Sequence, residues 1–304
     1  MSLGNRPILN RLFGGRPQPS LVRAPAPVPN TVEGRLLQEI PNCNDPARAW
    51  IRASFHDCGT FDIKQSSGGC DGSLQFEMDR RTNAGLSATV ALYQSIQRDF
   101  PDTSMADIVA LAGKLAVEKC SGTTLKPFEF GRKDASQANN ANLLPNSTIS
   151  SQGIIDVFVD KYGYSLEDAI ALIGGGHSVA RAHRANSEFD GNLDPTPDRL
   201  DNAFFKMLLE SPDAFPGGAR LPADANMAKD ERFRPILEKF AQDDAALMTA
   251  FQRSFERMLD FGFKQLSAAP VPVRDDAKAQ AGTASNLEAT WSFISVLFTA
   301  LILP

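Results

Sequence analysis

The 304-residue sequence has few of the residues that usually carry chemistry: three histidines, three tyrosines and two tryptophans. It also lacks a long basic run, and its formal net charge is −5. Nucleic-acid binders carry clustered Lys and Arg, so a nucleic-acid partner is not expected. A small-molecule partner is favoured, and the three histidines can be weighed one at a time.

The four cysteines contain no Cys-x-x-Cys pair; they are Cys43, Cys58, Cys70 and Cys120. A structural zinc site normally includes such a pair, whereas an even number of separated cysteines fits disulfides. Disulfides in turn favour an oxidising compartment. Four cysteines allow three pairings, and their spacing alone selects none of them.

The two ends of the chain differ in character from the body. Residues 1–30 are a Pro- and Arg-rich leader, expected to be extended and without the apolar stretch of a secretory signal. Ala289 to Leu303 is almost wholly apolar, but its fifteen residues fall short of the about 20 that span a membrane. After its polar spacer, this tail has the pattern of a glycolipid (GPI) anchor signal; a short tail anchor or a docked helix are the alternatives. A secreted or cell-surface protein, attached to the membrane through this tail, is the resulting prediction.

Helix signals dominate from Thr31 to about residue 265, and no run of alternating strands appears. The start and stop signals are the pair Asp45-Pro46, the capping boxes Ser104-x-x-Asp107 and Ser165-x-x-Asp168, and the stop glycines Gly122 and Gly163. A long last helix is predicted over about Asp243–Phe261, ended by Gly262. The fold is therefore predicted to be mainly α.

Arg52 and His56 lie four residues apart on a predicted helix, so their side chains leave the same face. In a shared cavity, a neutral His can take a proton from the near oxygen of a peroxide and pass it to the far one. An Arg there stabilises the negative charge that develops as the O–O bond breaks. A lone Arg-x-x-x-His more often lies on a solvated helix face, so the pair needs further context.

His177 ends an apolar segment and follows three glycines, Gly174 to Gly176. Glycines have no side chains to prevent the close approach of a planar ring, so an iron ligand fits at this position. A histidine satisfied within the core is the competing interpretation.

Three segments together resemble the plant, fungal and bacterial haem peroxidase superfamily over about residues 31–265. They are Arg52-Ala53-Ser54-Phe55-His56-Asp57, Gly68-Gly69-Cys70-Asp71-Gly72-Ser73 and Gly174-Gly175-Gly176-His177-Ser178. The resemblance implies about ten helices in a distal lobe (31–150) and a proximal lobe (151–265), with haem b between them. It is strongest to fungal secreted (class II-like) peroxidases, with a plant-type disulfide in the distal loop.

The resemblance also assigns roles to distal residues. His56 is the acid-base catalyst, Arg52 polarises hydrogen peroxide, and Phe55 packs over the haem. Asn83 matches the family's Asn that accepts a hydrogen bond from the distal His, although a surface turn is the ordinary interpretation of Asn-Ala-Gly. On the proximal side, His177 is the iron ligand and Asp224 accepts its other ring N–H.

Further assignments by resemblance concern metals, disulfides and the substrate edge. Two Ca²⁺ ions are expected, the first bound by Asp57, Gly69, Asp71 and Ser73, the second by Ser178, Asp194, Thr196, Arg199 and Asp201. The disulfides expected are Cys43–Cys120 and Cys58–Cys70. Pro145 resembles the family's proline at the substrate edge of the haem.

Departures from the family pattern narrow the expected donor. The positions of a manganese site hold Asp45, Ala49 and His183, which is an incomplete set, and Leu172 replaces the surface Trp of lignin-oxidising relatives. A monomeric enzyme that oxidises small phenols or similar donors in one-electron steps is predicted. The alternatives are a haem-binding surface protein with weak turnover and a metal-independent structural protein.

Overall fold

The computed structural model describes residues 30–141, 143–185 and 188–266. Ten α-helices lie in that part of the chain: α1 Val32–Leu37, α2 Asp45–Cys58, α3 Ser87–Asp99, α4 Met105–Ser121, α5 Ser151–Ile154, α6 Leu166–Ser178, α7 Ala203–Glu210, α8 Pro222–Lys229, α9 Arg234–Gln242 and α10 Asp244–Leu259. A π-helical segment, Ile155–Lys161, continues α5, and the two-residue strands β1 (Arg181–Ala182) and β2 (Gly191–Asn192) pair antiparallel. The prediction of a mainly α fold with about ten helices is confirmed.

The predicted leader and the apolar tail fall outside the described residues. Within those residues, no helix has the length and apolar character needed to cross a membrane. The boundary between two lobes at about residue 150 stays a prediction.

The predicted capping residues begin their helices. Ser104 Oγ accepts the N–H of Asp107 at 3.0 Å, and Ser165 Oγ accepts that of Asp168 at 3.1 Å. One cap differs from the prediction: α2 begins at Asp45, but its cap is Asn44, whose Oδ1 accepts the N–H of Ala47 at 3.0 Å. The amide oxygen of Asn44 satisfies an N–H of the first turn, as a capping side chain does.

Both predicted disulfides are present, and they hold the two ends of α2. Cys43–Cys120 joins the segment before α2 to the last turn of α4, and Cys58–Cys70 joins the last residue of α2 to the following loop. Between these points α2 crosses α4 closely. A Cβ on Gly113 of α4 would lie 2.4 Å from Ser54 Oγ of α2, so the crossing requires glycine there. Helix α2 is thus fixed at both ends and against α4.

The loop after α2 packs on the end of α10 through glycine. Gly69 has φ +113°, and a Cβ there would lie 2.5 Å from the carbonyl oxygen of Phe261. The N–H of Cys70 donates to the same carbonyl at 2.9 Å. Only glycine adopts this backbone conformation without strain and permits so close an approach. Gly262, predicted to end α10, is likewise left-handed, with φ +72°, but the helix itself ends at Leu259.

The three glycines before His177 do not all serve the purpose that the sequence suggested. A Cβ on Gly174 would lie 2.2 Å from the ring of Phe205 in α7, and one on Gly175 would lie 2.3 Å from that of Phe251 in α10. Two of the glycines therefore allow α6 to pack against phenylalanines. Only Gly176 faces open space, with no atom within 4 Å of the added Cβ.

Candidate active site

His56 is held by a buried asparagine. His56 Nδ1 lies 2.7 Å from Asn83 Oδ1, and Asn83 Nδ2 donates to the carbonyl of Glu77 at 3.0 Å. Because a carbonyl can only accept, the Asn83 amide is oriented with its oxygen toward His56. The proton of the neutral imidazole then lies on Nδ1, which leaves the Nε2 lone pair to act as a base.

Arg52 is anchored on the same short segment as Asn83. Its Nη1 donates to the carbonyl of Ala84 at 3.0 Å, and its Nη2 donates to that of Thr82 at 2.7 Å. Burial lowers the pKa of Arg52. Segment 82–84 therefore fixes the side chains of Arg52 and His56. Arg52 retains further N–H donors for a bound molecule.

Burial sets the protonation state of His56. Burial first, and then the charge of Arg52, lowers the pKa of His56 to about 3, against a smaller opposing effect of the Asn83 hydrogen bond. His56 is neutral at neutral pH and able to accept a proton. The adjacent Phe55 ring stacks on Phe158, with centroids 6.1 Å apart and planes at 5°.

His177, in the last turn of α6, pairs with a carboxylate from α8. His177 Nδ1 lies 2.8 Å from Asp224 Oδ1, and Asp224 is fully buried. Its other oxygen, Oδ2, has no hydrogen-bond partner. Burial lowers the pKa of His177, but the charge and hydrogen bond of Asp224 outweigh it and leave the pKa raised. With its Nδ1–H donated to Asp224, the neutral ring keeps a lone pair on Nε2 for a metal.

These residues suit a haem group. The side chain of His177 stays 27% exposed although it lies deep in the protein, and the neighbouring Gly176 borders open space. A histidine whose Nδ1 is bound by a buried carboxylate is the donor arrangement that haem iron takes on its proximal side.

The predicted first calcium set, Asp57, Gly69, Asp71 and Ser73, comes together at the end of α2 and in the loop that follows. Together with Thr60, which was not predicted, it is named here the distal oxygen cluster. The Asp57 carboxylate accepts the N–H of Gly72 at 3.0 Å and that of Leu74 at 3.1 Å. Burial, and then the charge of Asp71, raises the pKa of Asp57 to about 8. The Asn139 amide lies among the side-chain oxygens of this cluster.

Four of the five residues predicted for the second calcium come together, as the proximal oxygen cluster: Asp194, Thr196, Arg199 and Asp201. The hydroxyl of the fifth, Ser178, donates to the carbonyl of Gly175 at 2.8 Å. Thr196 Oγ1 donates within it, lying 2.9 Å from Asp194 Oδ1 and 3.1 Å from Asp201 Oδ1. Asp194 Oδ2 is buried without a hydrogen-bond partner, and burial raises the pKa of Asp194 to about 6. Arg199 can offer only its carbonyl, since its guanidinium pairs with Asp201 at 2.6 Å.

Across the part of the chain that the structure describes, no group of three or more His, Cys, Asp and Glu side chains forms a metal site. Of the positions compared with a manganese site, Ala49 has no side-chain ligand atom and the Asp45 carboxylate pairs with Arg48. Leu172, at the position compared with the surface Trp, is buried. Pro145 lies half-buried in the loop before α5.

Sequence reasoning missed three residues of the site: Thr60, Glu77 and Asn139. Asn139 stands in a polar loop more than sixty residues from the oxygens that it contacts, as the printed sequence shows. No local pattern marks it, and Glu77 and Thr60 likewise follow no motif spacing. Only the three-dimensional arrangement identifies them.

Comparisons with known proteins show the family of this chain. The model of the family described as "Peroxidase" matches residues 32–243. L-ascorbate peroxidase 5, peroxisomal, of Arabidopsis thaliana is 34% identical over 241 residues, which cover 79% of this chain and 83% of the relative. L-ascorbate peroxidase 1, cytosolic, of Oryza sativa subsp. japonica is 34% identical over 215 residues, covering 70% and 84%. The probable L-ascorbate peroxidase 4, peroxisomal, of the same rice is 30% identical over 273 residues, covering 88% and 92%.

The expected kinship with fungal secreted peroxidases is not supported by these relatives. They are plant proteins whose names place them in the cytosol or peroxisome. The expectation rested on two disulfides and two calcium-like oxygen sets, which occupy few positions, whereas the similarity to the plant proteins extends over most of the body.

Proposed function

This chain belongs to the haem peroxidase family, and from that premise we propose which residues carry its reaction and which donors it oxidises. It is a haem peroxidase that uses hydrogen peroxide. When bound, haem b supplies an iron that accepts two oxidising equivalents from the peroxide and passes them on singly.

His56 moves the proton. Its Nε2 lone pair takes the proton of the peroxide's near oxygen and delivers it to the far oxygen, which leaves as water. The Nδ1–Asn83 contact of 2.7 Å carries this proposal, because it fixes the required tautomer. Arg52 stabilises the negative charge on the leaving oxygen, and its two carbonyl anchors orient its guanidinium beforehand.

His177 and Asp224 act on the opposite side as ligand and orienting carboxylate. Asp224 accepts the Nδ1–H and keeps Nε2 unprotonated, so His177 can hold the iron. The raised pKa of His177 reflects a more basic ring, which donates more electron density to the metal.

We take the donors to be small phenols or similar aromatic molecules that react at the haem edge near Pro145. A second candidate is ascorbate, because the relatives at 30–34% identity are named ascorbate peroxidases. Steady-state kcat/KM for ascorbate and for a simple phenol, measured on the same preparation, separates the two. A preference for ascorbate of more than about tenfold, or 1.4 kcal/mol in transition-state stabilisation, would replace phenols as the donor class.

Addition of one equivalent of hydrogen peroxide distinguishes an active peroxidase from a haem-binding surface protein with weak turnover. The Soret band of the haem-loaded protein is recorded before and after one equivalent of hydrogen peroxide. We expect a complete change within the mixing time, followed by return to the starting spectrum when donor is added. A band left unchanged by peroxide would favour the surface protein.

The peroxide step should be almost independent of pH from about 5 to 8. A group with its pKa lowered to about 3 is protonated only in strong acid, so the rate falls as the pH falls through that value. With an ordinary histidine pKa, the rate at pH 5 would instead be roughly 30-fold below that at pH 8. Stopped-flow measurement of the second-order rate constant decides, and a midpoint between pH 5 and 7 would contradict this environment for His56.

We also propose that a calcium ion binds the proximal oxygen cluster. The partnerless, buried Asp194 Oδ2 supports this, since a buried carboxylate oxygen without a donor is costly and a cation would satisfy it. Hard oxygen ligands from Thr196 and Asp201 lie beside it.

Chelation should therefore destabilise the wild type. A ligand at about 100 times its Kd stabilises by about 2.7 kcal/mol, which corresponds to a fall of roughly 5–10 °C in Tm on its removal. The matched variant is Asp194→Asn, for which we expect a lower Tm that the chelator no longer changes. Differential scanning fluorimetry with and without chelator measures both, and an unchanged wild-type Tm would remove calcium from this cluster.

A secreted or cell-surface location, membrane attachment through the tail and a monomeric state remain part of the proposal. The two disulfides support an oxidising compartment. The names of the plant relatives point instead to cytosol or peroxisome. Mass spectrometry of the mature protein's C-terminal peptide, together with cell fractionation, decides between the two.

A further inference from the structure

The amide of Asn139 contacts three members of the distal oxygen cluster: Thr60, Asp71 and Ser73. Its Nδ2 lies 2.9 Å from Ser73 Oγ, 3.0 and 3.3 Å from the two carboxylate oxygens of Asp71, and 3.1 Å from Thr60 Oγ1. One nitrogen within hydrogen-bond reach of four oxygens is an unusual environment for an amide. It is, however, the environment that oxygen ligands provide for a cation.

An ion and this amide cannot share the position. Calcium needs its oxygen ligands at about 2.3–2.6 Å. A nitrogen atom already in contact with the oxygens of Asp71, Ser73 and Thr60 fills the space that those ligands would enclose. Its N–H groups are donors, and the carboxylate of Asp71 takes them as acceptor in place of a cation.

The other oxygens of the cluster are also supplied with protein donors. Asp57 receives two main-chain N–H groups on its carboxylate, and its carbonyl accepts from Thr60 Oγ1 at 3.1 Å. The cluster differs in this respect from the proximal one, where Asp194 Oδ2 is buried with no donor. Each carboxylate oxygen of Asp57 thus receives a donor, whereas Asp194 Oδ2 receives none.

The position of Asn139 is fixed by its main chain. Its N–H donates to Glu77 Oε1 at 3.0 Å, and its carbonyl accepts from the guanidinium of Arg80. Glu77 and Arg80 are themselves paired, with Oε2 and Nη1 2.8 Å apart. The Glu77 carbonyl accepts from Asn83, the partner of His56. Two anchors thus hold the amide in the cluster and join it to the acid-base side of the active site.

We propose that the side-chain amide of Asn139 replaces a cation in the distal oxygen cluster. The cluster binds no calcium, and the Asn139 amide bridges the loop after α2 to the loop before α5. On this proposal the protein holds one calcium ion, in the proximal oxygen cluster, where the family resemblance implies two. The oxygens of Asp57, Asp71 and Ser73 that carry the resemblance are all present, but the amide that contacts Asp71 and Ser73 comes from a distant loop.

Calcium counting on the haem-loaded protein tests this proposal. Calcium per chain is measured by atomic emission after gel filtration in calcium-free buffer. We expect one ion in the wild type and none in Asp194→Asn, whose only remaining oxygen set is the distal one. A calcium ion that persists in Asp194→Asn and disappears when Asp71→Asn is added would overturn the proposal.

Substitution of Asn139 supplies the opposite test. In the Asp194→Asn background, Asn139→Asp places a carboxylate against Asp71, and we expect it to gain one calcium ion and a Tm that falls on chelation. The control Asn140→Asp makes the same chemical change at the neighbouring exposed residue, and it should gain none. Failure of Asn139→Asp to gain an ion would overturn the replacement of a cation by the amide.

These outcomes are separable from the calcium proposed at Asp194. Should that ion be absent, the wild type and Asp194→Asn would both contain none, and the gain in Asn139→Asp would still report on the distal cluster. The wild-type count needs no variant to fold.

Discussion

Replacement of His56 by Leu should slow the reaction with hydrogen peroxide by about 10³- to 10⁴-fold, the upper part of the range for a positioned acid-base group. Leu fills a similar volume but carries no lone pair, so the proton of the near oxygen has no acceptor and the far oxygen leaves as hydroxide. At about 1.4 kcal/mol for each factor of ten, the loss corresponds to about 4–5.5 kcal/mol of transition-state stabilisation. Single-turnover stopped-flow, with the Soret band as signal, measures it directly.

Two features of the site make this prediction specific to His56. The Leu variant should still bind haem with a normal Soret band, because His177 and Asp224 lie on other elements, α6 and α8. The control is His183→Leu, which makes the same change at an exposed histidine and should leave the rate within about twofold. A rate for His56→Leu within tenfold of wild type would refute its role as the base.

Substitution of Asn83 tests whether His56 needs a fixed tautomer, and not only its ring, to accept the proton. An Asn83→Leu variant keeps His56 but removes the acceptor at 2.7 Å from Nδ1, so the ring loses its fixed tautomer. We expect an intermediate loss, of about 10- to 100-fold, as for other residues that orient an active group through a hydrogen bond. The same stopped-flow experiment orders the three proteins, and a wild-type rate for Asn83→Leu would show that the tautomer is not set by this contact.

Much of the fold could be predicted from the sequence because its signals are local. The capping serines Ser104 and Ser165 and the terminator Gly122 act on residues within one helical turn, and each is found in its predicted role. The pairs His56–Asn83 and His177–Asp224 are not local, but short motifs mark both members. The disulfides were assigned only by resemblance, since four cysteines alone permit three pairings.

What could not be predicted depends on contacts between distant segments. Gly174 and Gly175 carry no mark of the phenylalanines Phe205 and Phe251 that pack against them, so their purpose was assigned to a planar ring instead. Asn139 is one of two consecutive asparagines, and only the fold shows which of the two enters the distal oxygen cluster. Sequence motifs identify the ligand oxygens of a cation site, but they do not reveal a group that fills it.

The second large effect concerns the carboxylate behind the iron ligand. Asp224 is fully buried, and His177 Nδ1 lies 2.8 Å from its Oδ1 while Oδ2 has no partner. The imidazole is thus the hydrogen-bond partner of this carboxylate, whose charge also acts on Arg220. Asp224→Asn keeps the shape but removes the charge, so the ring becomes less basic and donates less to the iron. The ferric state, which carries the extra positive charge, then loses more stabilisation than the ferrous state.

We accordingly expect the ferric/ferrous reduction potential of Asp224→Asn to rise. Loss of a group that orients and charges a metal ligand typically lowers metal affinity by about 10- to 100-fold. If the loss falls on the ferric state, each factor of ten raises the potential of a one-electron couple by about 59 mV. The rise should thus be roughly 60–120 mV, measured by spectroelectrochemical titration of the Soret band. The control Asp213→Asn removes an equal charge from an exposed pair with Lys229, where solvent screens it, and should move the potential by less than about 15 mV. An unchanged potential in Asp224→Asn would mean that the carboxylate does not act on the iron ligand, whatever the variant's activity.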